Sequence, residues 1–160
     1  MIHAVFPGTF DPLTFGHLNI IERAARLFDK LTVIVAENRQ KILLFTVEER
    51  IVILQKETAI WANVFVERCD SLVVHFMKAH HAKVIVRGLR NSEDFSYEAE
   101  IARINRILEP YVETCFLISD PSLSIVSSSA VREILHFGGD ISTLVPQAVL
   151  LQLQNRPILA

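Results

Sequence analysis

Residues 6–17 read FPGTFDPLTFGH. A strand-like apolar run leads into this segment, and an amphipathic run with apolar residues at helical spacing follows it. Gly8 lets the backbone approach a bulky anionic group, and Thr9 adds a hydroxyl donor at the strand end. His17 stands where the helix begins, and the free backbone N–H groups of a helix start favour anions. The segment therefore predicts a strand–loop–helix unit whose loop binds phosphate.

The rest of the chain repeats this alternation of short β-branched runs and amphipathic stretches, without a linker or low-complexity segment. Such alternation, joined by right-handed crossovers, specifies a parallel sheet with helices on both faces. We therefore predict one α/β domain over residues 1–160, a doubly wound, five-stranded parallel sheet. The predicted strands are 2–6, 31–36, 64–67, 83–87 and 112–118.

The helices are predicted from their periodicity and their caps. Thr46 and Glu49 form a capping-box pattern that starts the second helix, and Ser71 is expected to cap the third. Pro110 ends the fourth helix, and Gly138-Gly139 ends the fifth. The predicted helices are 16–28, one from 46 onward, 72–79, 93–109, 127–137 and a last one after Pro146.

Polar residues cluster in the loops that follow the predicted strands. In a parallel sheet these loops share the carboxyl edge, where ligands bind near the topological switch point. The loop after the second strand carries Lys41, the loop after the fourth carries Arg87, Gly88 and Arg90, and a serine run at 127–129 follows the fifth. Chance would scatter such residues over both ends of the sheet. The sequence thus predicts one polar site at this edge.

Composition excludes several classes of function. The formal net charge is −2, so attraction to phosphate must come from local basic clusters, and no nucleic-acid partner is expected. The cysteines, Cys69 and Cys115, are too few for a disulfide scaffold and lack metal-ligand spacing. No apolar stretch approaches the roughly 18 residues of a membrane helix, and no signal-like segment opens the chain. We therefore expect a cytoplasmic protein without membrane association.

Each candidate residue also has a plain structural interpretation. An isolated Gly-His pair is most simply a turn with a half-buried histidine, whereas its combination with a Thr-bearing strand end is more specific. Spacing alone is equally compatible with plain structural roles elsewhere in the chain: a solvated Lys41, salt bridges from Arg87 and Arg90 to Glu93 and Asp94, a solvated Glu98, and an N-cap serine within 127–129.

Several motifs together resemble a known family. The Thr-x-Gly-His element at 14–17, with its preceding GTFDP, resembles the nucleotidyltransferase superfamily, which includes the class I aminoacyl-tRNA synthetases. Within it the chain is similar to the phosphopantetheine adenylyltransferase family, which joins ATP and 4′-phosphopantetheine to give dephospho-coenzyme A and pyrophosphate. The resemblance implies a Rossmann-like nucleotidyltransferase fold. The collinear matches are PGTFDP at 7–12, FTVEER at 45–50, RGLR at 87–90, DFSYE at 94–98 and VSSS at 126–129.

The resemblance also implies roles for individual residues. His17 would stabilise the charge that builds on the α-phosphate in the transition state, and Lys41 and Arg90 would assist it. The residues expected to bind 4′-phosphopantetheine are Thr9, Lys41, Val73 and Arg87. Those expected to bind ATP are Thr9, Phe10, His17, Gly88, Leu89, Arg90, Glu98, Leu123, Ser124, Ile125, Val126, Ser127, Ser128 and Ser129.

The family also implies a cofactor and partners. Mg²⁺ is the expected cofactor, although no carboxylate cluster in the sequence marks a protein-built metal cage. A homohexamer is expected, and coenzyme A is a candidate feedback inhibitor. The chain departs from the family pattern at four positions: Phe6 often aligns with tyrosine, Phe15 with a small polar residue, Leu123 with an aromatic residue, and Val73 with a larger apolar side chain.

No nucleophilic side chain with an activating base is evident in the sequence. We therefore predict direct in-line attack of the acceptor phosphate on the α-phosphorus of ATP, without a covalent enzyme intermediate. One rival is a cytidylyl- or mononucleotide adenylyltransferase, against which the RGLR and serine motifs argue. A second rival is a non-catalytic nucleotide sensor, which should lack a chemical group, yet all four expected groups are present: Thr9, His17, Lys41 and Arg90.

Overall fold

The computed structural model describes residues 1–36 and 43–155. Strands alternate with helices along this part of the chain. The strands are β1 (His3–Gly8), β2 (Lys30–Ala36), β3 (Val64–Cys69), β4 (Val84–Leu89) and β5 (Glu113–Ile118). The helices are α1 (Phe15–Leu27), α2 (Val47–Thr58), α3 (Val73–Ala79), α4 (Ser92–Leu108), α5 (Ser128–His136) and α6 (Gln147–Gln154), with a 3-10 turn at Pro121–Leu123.

The strands form one parallel sheet in the order β3-β2-β1-β4-β5. The chain runs outward from β1 through β2 to β3, and then returns to the other side of β1 for β4 and β5. The switch point therefore lies between β1 and β4, the place where doubly wound sheets bind ligands. The predicted five-stranded parallel sheet is confirmed.

Two predicted helix caps are confirmed. The Thr46 hydroxyl accepts a hydrogen bond from the Glu49 N–H, and the Glu49 carboxylate accepts one from the Thr46 N–H at 2.7 Å. At α5 the Ser127 hydroxyl accepts from the Ala130 N–H at 3.1 Å. These side chains bind N–H groups that have no partner inside the helix, and so fix where α2 and α5 begin.

The predicted cap at Ser71 is wrong. Helix α3 has Leu72 at its N-cap position and no side-chain capping bond, because Ser71 lies one residue ahead of the position from which a hydroxyl reaches the first turn. The Ser71 hydroxyl donates instead to the carbonyl oxygen of Leu72 at 3.4 Å.

The central strands are buried on both faces. Ala4 and Phe6 of β1 pack into the larger hydrophobic cluster, whereas Val5 between them packs with Ile34 and Ile85 on the opposite face. Because both faces of the sheet are covered, polar side chains that bind a ligand must lie at the ends of the strands. Within the described ranges, no helix combines the length and the apolar composition that a membrane span requires.

Candidate active site

A cleft of about 460 Å³ opens at the carboxyl ends of β1 and β4, at the switch point. We call it the main cleft. Its walls come from the β1–α1 loop, the end of β4, the start of α4 and the start of α5, as the sequence predicted for one polar edge. Predicted site residues that line it are Thr9, Phe10, His17, Arg87, Gly88, Arg90, Glu98, Leu123, Val126, Ser127, Ser128 and Ser129.

Not every predicted ATP-site residue reaches the main cleft. Leu89, at the end of β4, is buried and does not line the cleft. Ser124 donates its hydroxyl to the carbonyl of Pro121, and the side chain of Ile125 is exposed to solvent. These three residues are absent from the cleft wall. Lys41 lies outside the described residues.

His17 enters the cleft from the first turn of α1 in a fixed orientation. Its Nδ1 accepts a hydrogen bond from the Thr14 backbone N–H at 3.1 Å and lies 3.0 Å from the Thr14 hydroxyl. Because a backbone N–H can only donate, Nδ1 must lack a proton, and the neutral ring carries its proton on Nε2. His17 therefore offers Nε2–H as a hydrogen-bond donor.

The electrostatic surroundings keep this ring neutral. Burial, together with the nearby positive charges of Arg90 and Arg87, lowers the pKa of His17 to about 4. At neutral pH the imidazole can thus donate to a phosphate oxygen without itself being charged.

Phe10 lines the main cleft next to His17. Its backbone has φ of +52°, in the left-handed region that non-glycine residues seldom adopt. Its ring meets the His17 ring edge to face at 5.1 Å and the Phe6 ring at 5.5 Å. The ring also lies over Gly8, where a Cβ would come within 2.7 Å of it, so the glycine is required by close packing.

Arg87 is held by Glu98. Its Nε donates to Glu98 Oε2 at 2.6 Å, its Nη2 donates to Oε1, and its Nη1 donates to the Pro7 carbonyl at 2.7 Å. Glu98 is only 8% exposed, so its interpretation as a solvated helix residue is wrong. The pairing also differs from a salt bridge between Arg87 and Glu93 or Asp94, which spacing alone allowed. A buried bidentate pair fixes the plane of the guanidinium.

Arg90 pairs with Asp94, the salt bridge that their spacing in the sequence allowed. Two of its nitrogens donate to the two carboxylate oxygens at 2.9 and 3.0 Å. These hydrogen bonds raise the pKa of Arg90 and hold that of Asp94 below its usual range. Both residues still line the main cleft, so the salt bridge and a phosphate-binding role are compatible.

The serine run supplies structure as well as cleft wall. Ser127 caps α5, Ser128 donates to the Pro12 carbonyl at 2.8 Å, and Ser129 accepts from Arg132 at 3.3 Å. The run thereby ties the start of α5 to the β1–α1 loop. The cap is confirmed, and the run also lines the main cleft; its binding of ATP stays a prediction.

A second cleft of about 360 Å³ adjoins the main one. We call it the apolar cleft, because its far wall is built mostly from apolar side chains of α3 and α4, with the predicted Val73 among them. The two clefts share one boundary, formed by Pro7, Gly8, Thr9, Arg87 and Glu98. Thr9 and Arg87 thus stand where one bound molecule would meet another.

Three residues in or next to the site were given no role from the sequence: Thr14, Asp11 and Arg132. Arg132 lines the main cleft, donates to the Asp11 carbonyl and lies 3.9 Å from the Asp11 carboxylate. Its position three residues after Ser129 puts it on the serine face of α5, a helical spacing that was available as a signal. The contacts of Asp11 join segments far apart in sequence, so local pattern could not reveal them.

The side chains that line the main cleft indicate how Mg²⁺ could be held there. Among the described residues, no group of three or more His, Cys, Asp or Glu side chains is placed to hold a metal ion. The two carboxylates that line the main cleft, Asp94 and Glu98, both pair with arginine. Such a site fits an ion carried mainly by phosphate oxygens and water, which is how Mg²⁺ is commonly bound beside nucleotides.

Comparison with known proteins agrees with this geometry. A family model described as cytidylyltransferase-like matches residues 5–134, which makes the chain a nucleotidyltransferase by fold and site. A crystal structure from Vibrio parahaemolyticus, described as a nicotinate-nucleotide adenylyltransferase, superposes with a TM-score of 0.69 at 19% identity, covering 96% of this chain and 93% of the other. At that identity the likeness supports the fold alone.

Curated sequences narrow the class. A phosphopantetheine adenylyltransferase from Levilactobacillus brevis is 50% identical, over 93% of this chain and 92% of the relative. Relatives of the same name from Carboxydothermus hydrogenoformans and Lactiplantibacillus plantarum are each 46% identical, over 96% and 98% of this chain and 94% and 96% of their own length. The chain belongs to the phosphopantetheine adenylyltransferase family of enzymes, which excludes the interpretation as a non-catalytic sensor.

Proposed function

We propose that the enzyme transfers the adenylyl group of ATP to the phosphate of 4′-phosphopantetheine, giving dephospho-coenzyme A and pyrophosphate. The observation that carries this proposal is the shared boundary of the two clefts at Thr9 and Arg87. A polar cleft with His17 and Arg90 suits a triphosphate, and an adjoining apolar cleft suits a pantetheine arm. The names of the close relatives support the same pair of substrates.

The transfer proceeds by direct in-line attack in this proposal. A phosphate acceptor is already ionised at neutral pH, so no general base is required, and catalysis rests on positioning and charge stabilisation. Thr9 and Arg87 hold the acceptor phosphate at the boundary of the clefts, and Lys41 binds it through the ammonium group of its long side chain.

His17 acts on the α-phosphate. Its neutral ring directs Nε2–H toward a non-bridging oxygen, where negative charge builds in the transition state, and the Thr14 contact keeps the donor oriented. Arg90 stabilises the departing pyrophosphate. Bound Mg²⁺ would supply neutralisation of charge on the triphosphate oxygens.

Acceptor specificity tests the proposal. The protein is incubated with ATP, Mg²⁺ and, in parallel, 4′-phosphopantetheine, nicotinamide mononucleotide or glycerol phosphate, and pyrophosphate release is measured. Release with 4′-phosphopantetheine and not with the other two is the expected result. Release with nicotinamide mononucleotide alone would favour a mononucleotide adenylyltransferase instead.

The stereochemical course tests the in-line step. With ATP made chiral at the α-phosphorus by sulfur substitution, one displacement inverts the configuration, whereas a covalent adenylyl-enzyme involves two displacements and retains it. We expect inversion. Retention would require a nucleophilic side chain that the proposal lacks.

Lys41→Ala tests the division of the two subsites. We expect a raised KM for 4′-phosphopantetheine and little change in ATP binding, because the ammonium serves the acceptor phosphate. Weakened ATP binding alone would mean that the two subsites are reversed.

The proposal also includes assembly and regulation. Several apolar side chains of α4 and β5 are exposed, among them Ile104, Ile107 and Ile118, and a homohexamer would cover such a surface.

Coenzyme A contains the phosphopantetheine arm of the acceptor, so we expect it to compete with the acceptor. Inhibition that rising 4′-phosphopantetheine fails to relieve would contradict competition.

A further inference from the structure

Arg50 is a buried cation outside the clefts. It lies on α2 and is only 1% exposed. Its Nη1 donates to the Thr9 carbonyl at 2.6 Å and to the Ala36 carbonyl at 3.2 Å, and its Nε donates to the Thr46 carbonyl at 3.3 Å. A charge is tolerated at such depth only when polar groups surround it. One side chain thus joins the β1–α1 loop, the end of β2 and the cap of α2.

Asp11 makes a second connection to the β1–α1 loop, through its carboxylate. It is also 1% exposed, and its two carboxylate oxygens accept hydrogen bonds from the backbone N–H groups of Leu44 and Phe45 at 2.7 and 2.8 Å. Charge-assisted bonds to backbone donors are among the stronger hydrogen bonds in proteins. Asp11 therefore fastens the β1–α1 loop to the chain just before α2.

Together these two residues, the backbone anchors Asp11 and Arg50, hold the catalytic loop on both sides of Phe10. Arg50 binds the residue before it, Thr9, and Asp11 follows it directly. Phe10 itself has a positive φ, and its ring contacts the imidazole of His17. A backbone conformation of this kind persists only where its surroundings determine it.

We propose that Asp11 and Arg50 are positioning residues for adenylyl transfer, an inference that rests on the proposed function. They set the backbone of Thr9 and, through Phe10, the ring of His17. Neither residue lines the main cleft or the apolar cleft, so they act through the residues that touch substrate.

Two conservative variants test the proposal, one at each anchor. Arg50→Lys keeps the charge but lacks the planar fork that reaches several carbonyls, and Asp11→Asn keeps the shape but loses one acceptor oxygen. We expect each to lower kcat by roughly 10- to 100-fold, the scale of a misplacement of about 1 Å at a reacting centre. The KM for ATP should change by less than about threefold, because no ATP contact is removed.

Ile53→Val is the matched control. Ile53 is buried on α2 and belongs to the hydrophobic cluster, so its truncation weakens packing without removing a hydrogen bond to the β1–α1 loop. We expect a lowered Tm with kcat per folded molecule unchanged. The nitrogen-15 resonances of the His17 ring, read in the substrate-free protein, should shift in both anchor variants and stay in place in the control.

Either of two results would overturn the proposal: wild-type kcat in both anchor variants, or a loss of kcat in Ile53→Val equal to theirs. The His17 resonances separate this inference from the proposed function. If the wild-type enzyme released no pyrophosphate with 4′-phosphopantetheine, the substrate assignment would fail, and unshifted His17 resonances in both variants would still refute the anchors by themselves.

Discussion

The functional side chains of the main cleft are held by partners before any substrate arrives. Thr14 orients the imidazole of His17, and Glu98 orients the guanidinium of Arg87. Donors that are already oriented require little reorganisation when charge develops in the transition state. At two points of this cleft, therefore, a hydrogen-bond donor is paired with a second residue that fixes its orientation.

Because burial and two arginines disfavour the imidazolium, we predict that His17 of the substrate-free enzyme titrates near pH 4 rather than 6.5. Between these values the unfolded chain binds the proton and the folded one does not. The contribution of His17 to the free energy of unfolding is thus complete above pH 6.5 and falls as pH drops toward 4. A nitrogen-15 NMR titration measures the midpoint directly. A midpoint near 6.5 would contradict an imidazole that its surroundings keep neutral.

Glu98→Gln should impair acceptor use more than ATP use. The amide retains one acceptor oxygen but loses the charge that fixes Arg87, so we expect the KM for 4′-phosphopantetheine to rise roughly tenfold. Glu100→Gln is the control, since Glu100 lies on the same helix and is exposed. A selective rise in the KM for ATP would instead indicate that Glu98 contacts the nucleotide, as the family resemblance implies.

At the scale of the elements, the sequence predicted the strands and helices that depend on local pattern. Strand 83–87 was found at Val84–Leu89 and helix 93–109 at Ser92–Leu108, because a β-branched run marks the strand and Pro110 marks the end of the helix in the sequence itself. The pairing of Arg87 with Glu98 was not predicted. It depends on how α4 packs against β4, which no periodicity within either element encodes.

Gly88 tests the packing of α1 on β4. A Cβ at this position would lie 2.9 Å from Cγ1 of Ile20, closer than side chains tolerate. Gly88→Ala should therefore lower the free energy of unfolding by about 1–3 kcal/mol, the usual cost of overpacking. In an Ile20→Ala background, where the contact is removed, Gly88→Ala should lower the free energy of unfolding by less than it does in the wild type. Chemical denaturation of the four proteins measures this difference. Equal stability of Gly88→Ala and wild type would refute the contact.

At the scale of the whole molecule, topology explains why the location of the site could be predicted from the sequence. It also explains why the long-range hydrogen bonds around the site could not. Any parallel sheet in this order collects its strand-end loops at one edge, so Thr9, Arg87 and the serine run had to meet. The contacts of Asp11 with Leu44 and Phe45 span a crossover and depend on the assembled fold. Lys41 remains a sequence prediction, since it lies outside the described residues.

Assembly is the prediction that belongs to this scale. Ile107 is 79% exposed on α4, beside other exposed apolar side chains. We expect the wild-type chain to sediment as a hexamer and Ile107→Glu to sediment as a smaller species, because a charge in an apolar interface is costly. A wild-type chain that sediments as a monomer at micromolar concentration would contradict the assembly.

The central claim is that His17 stabilises the transition state of adenylyl transfer, and steady-state kinetics of His17→Ala tests it most directly. With ATP and 4′-phosphopantetheine as substrates, kcat should fall by roughly 10²–10³-fold, the usual effect of removing one preorganised donor, while the KM for ATP changes little. An unchanged kcat with only a raised KM would contradict the claim, because His17 would then serve binding alone.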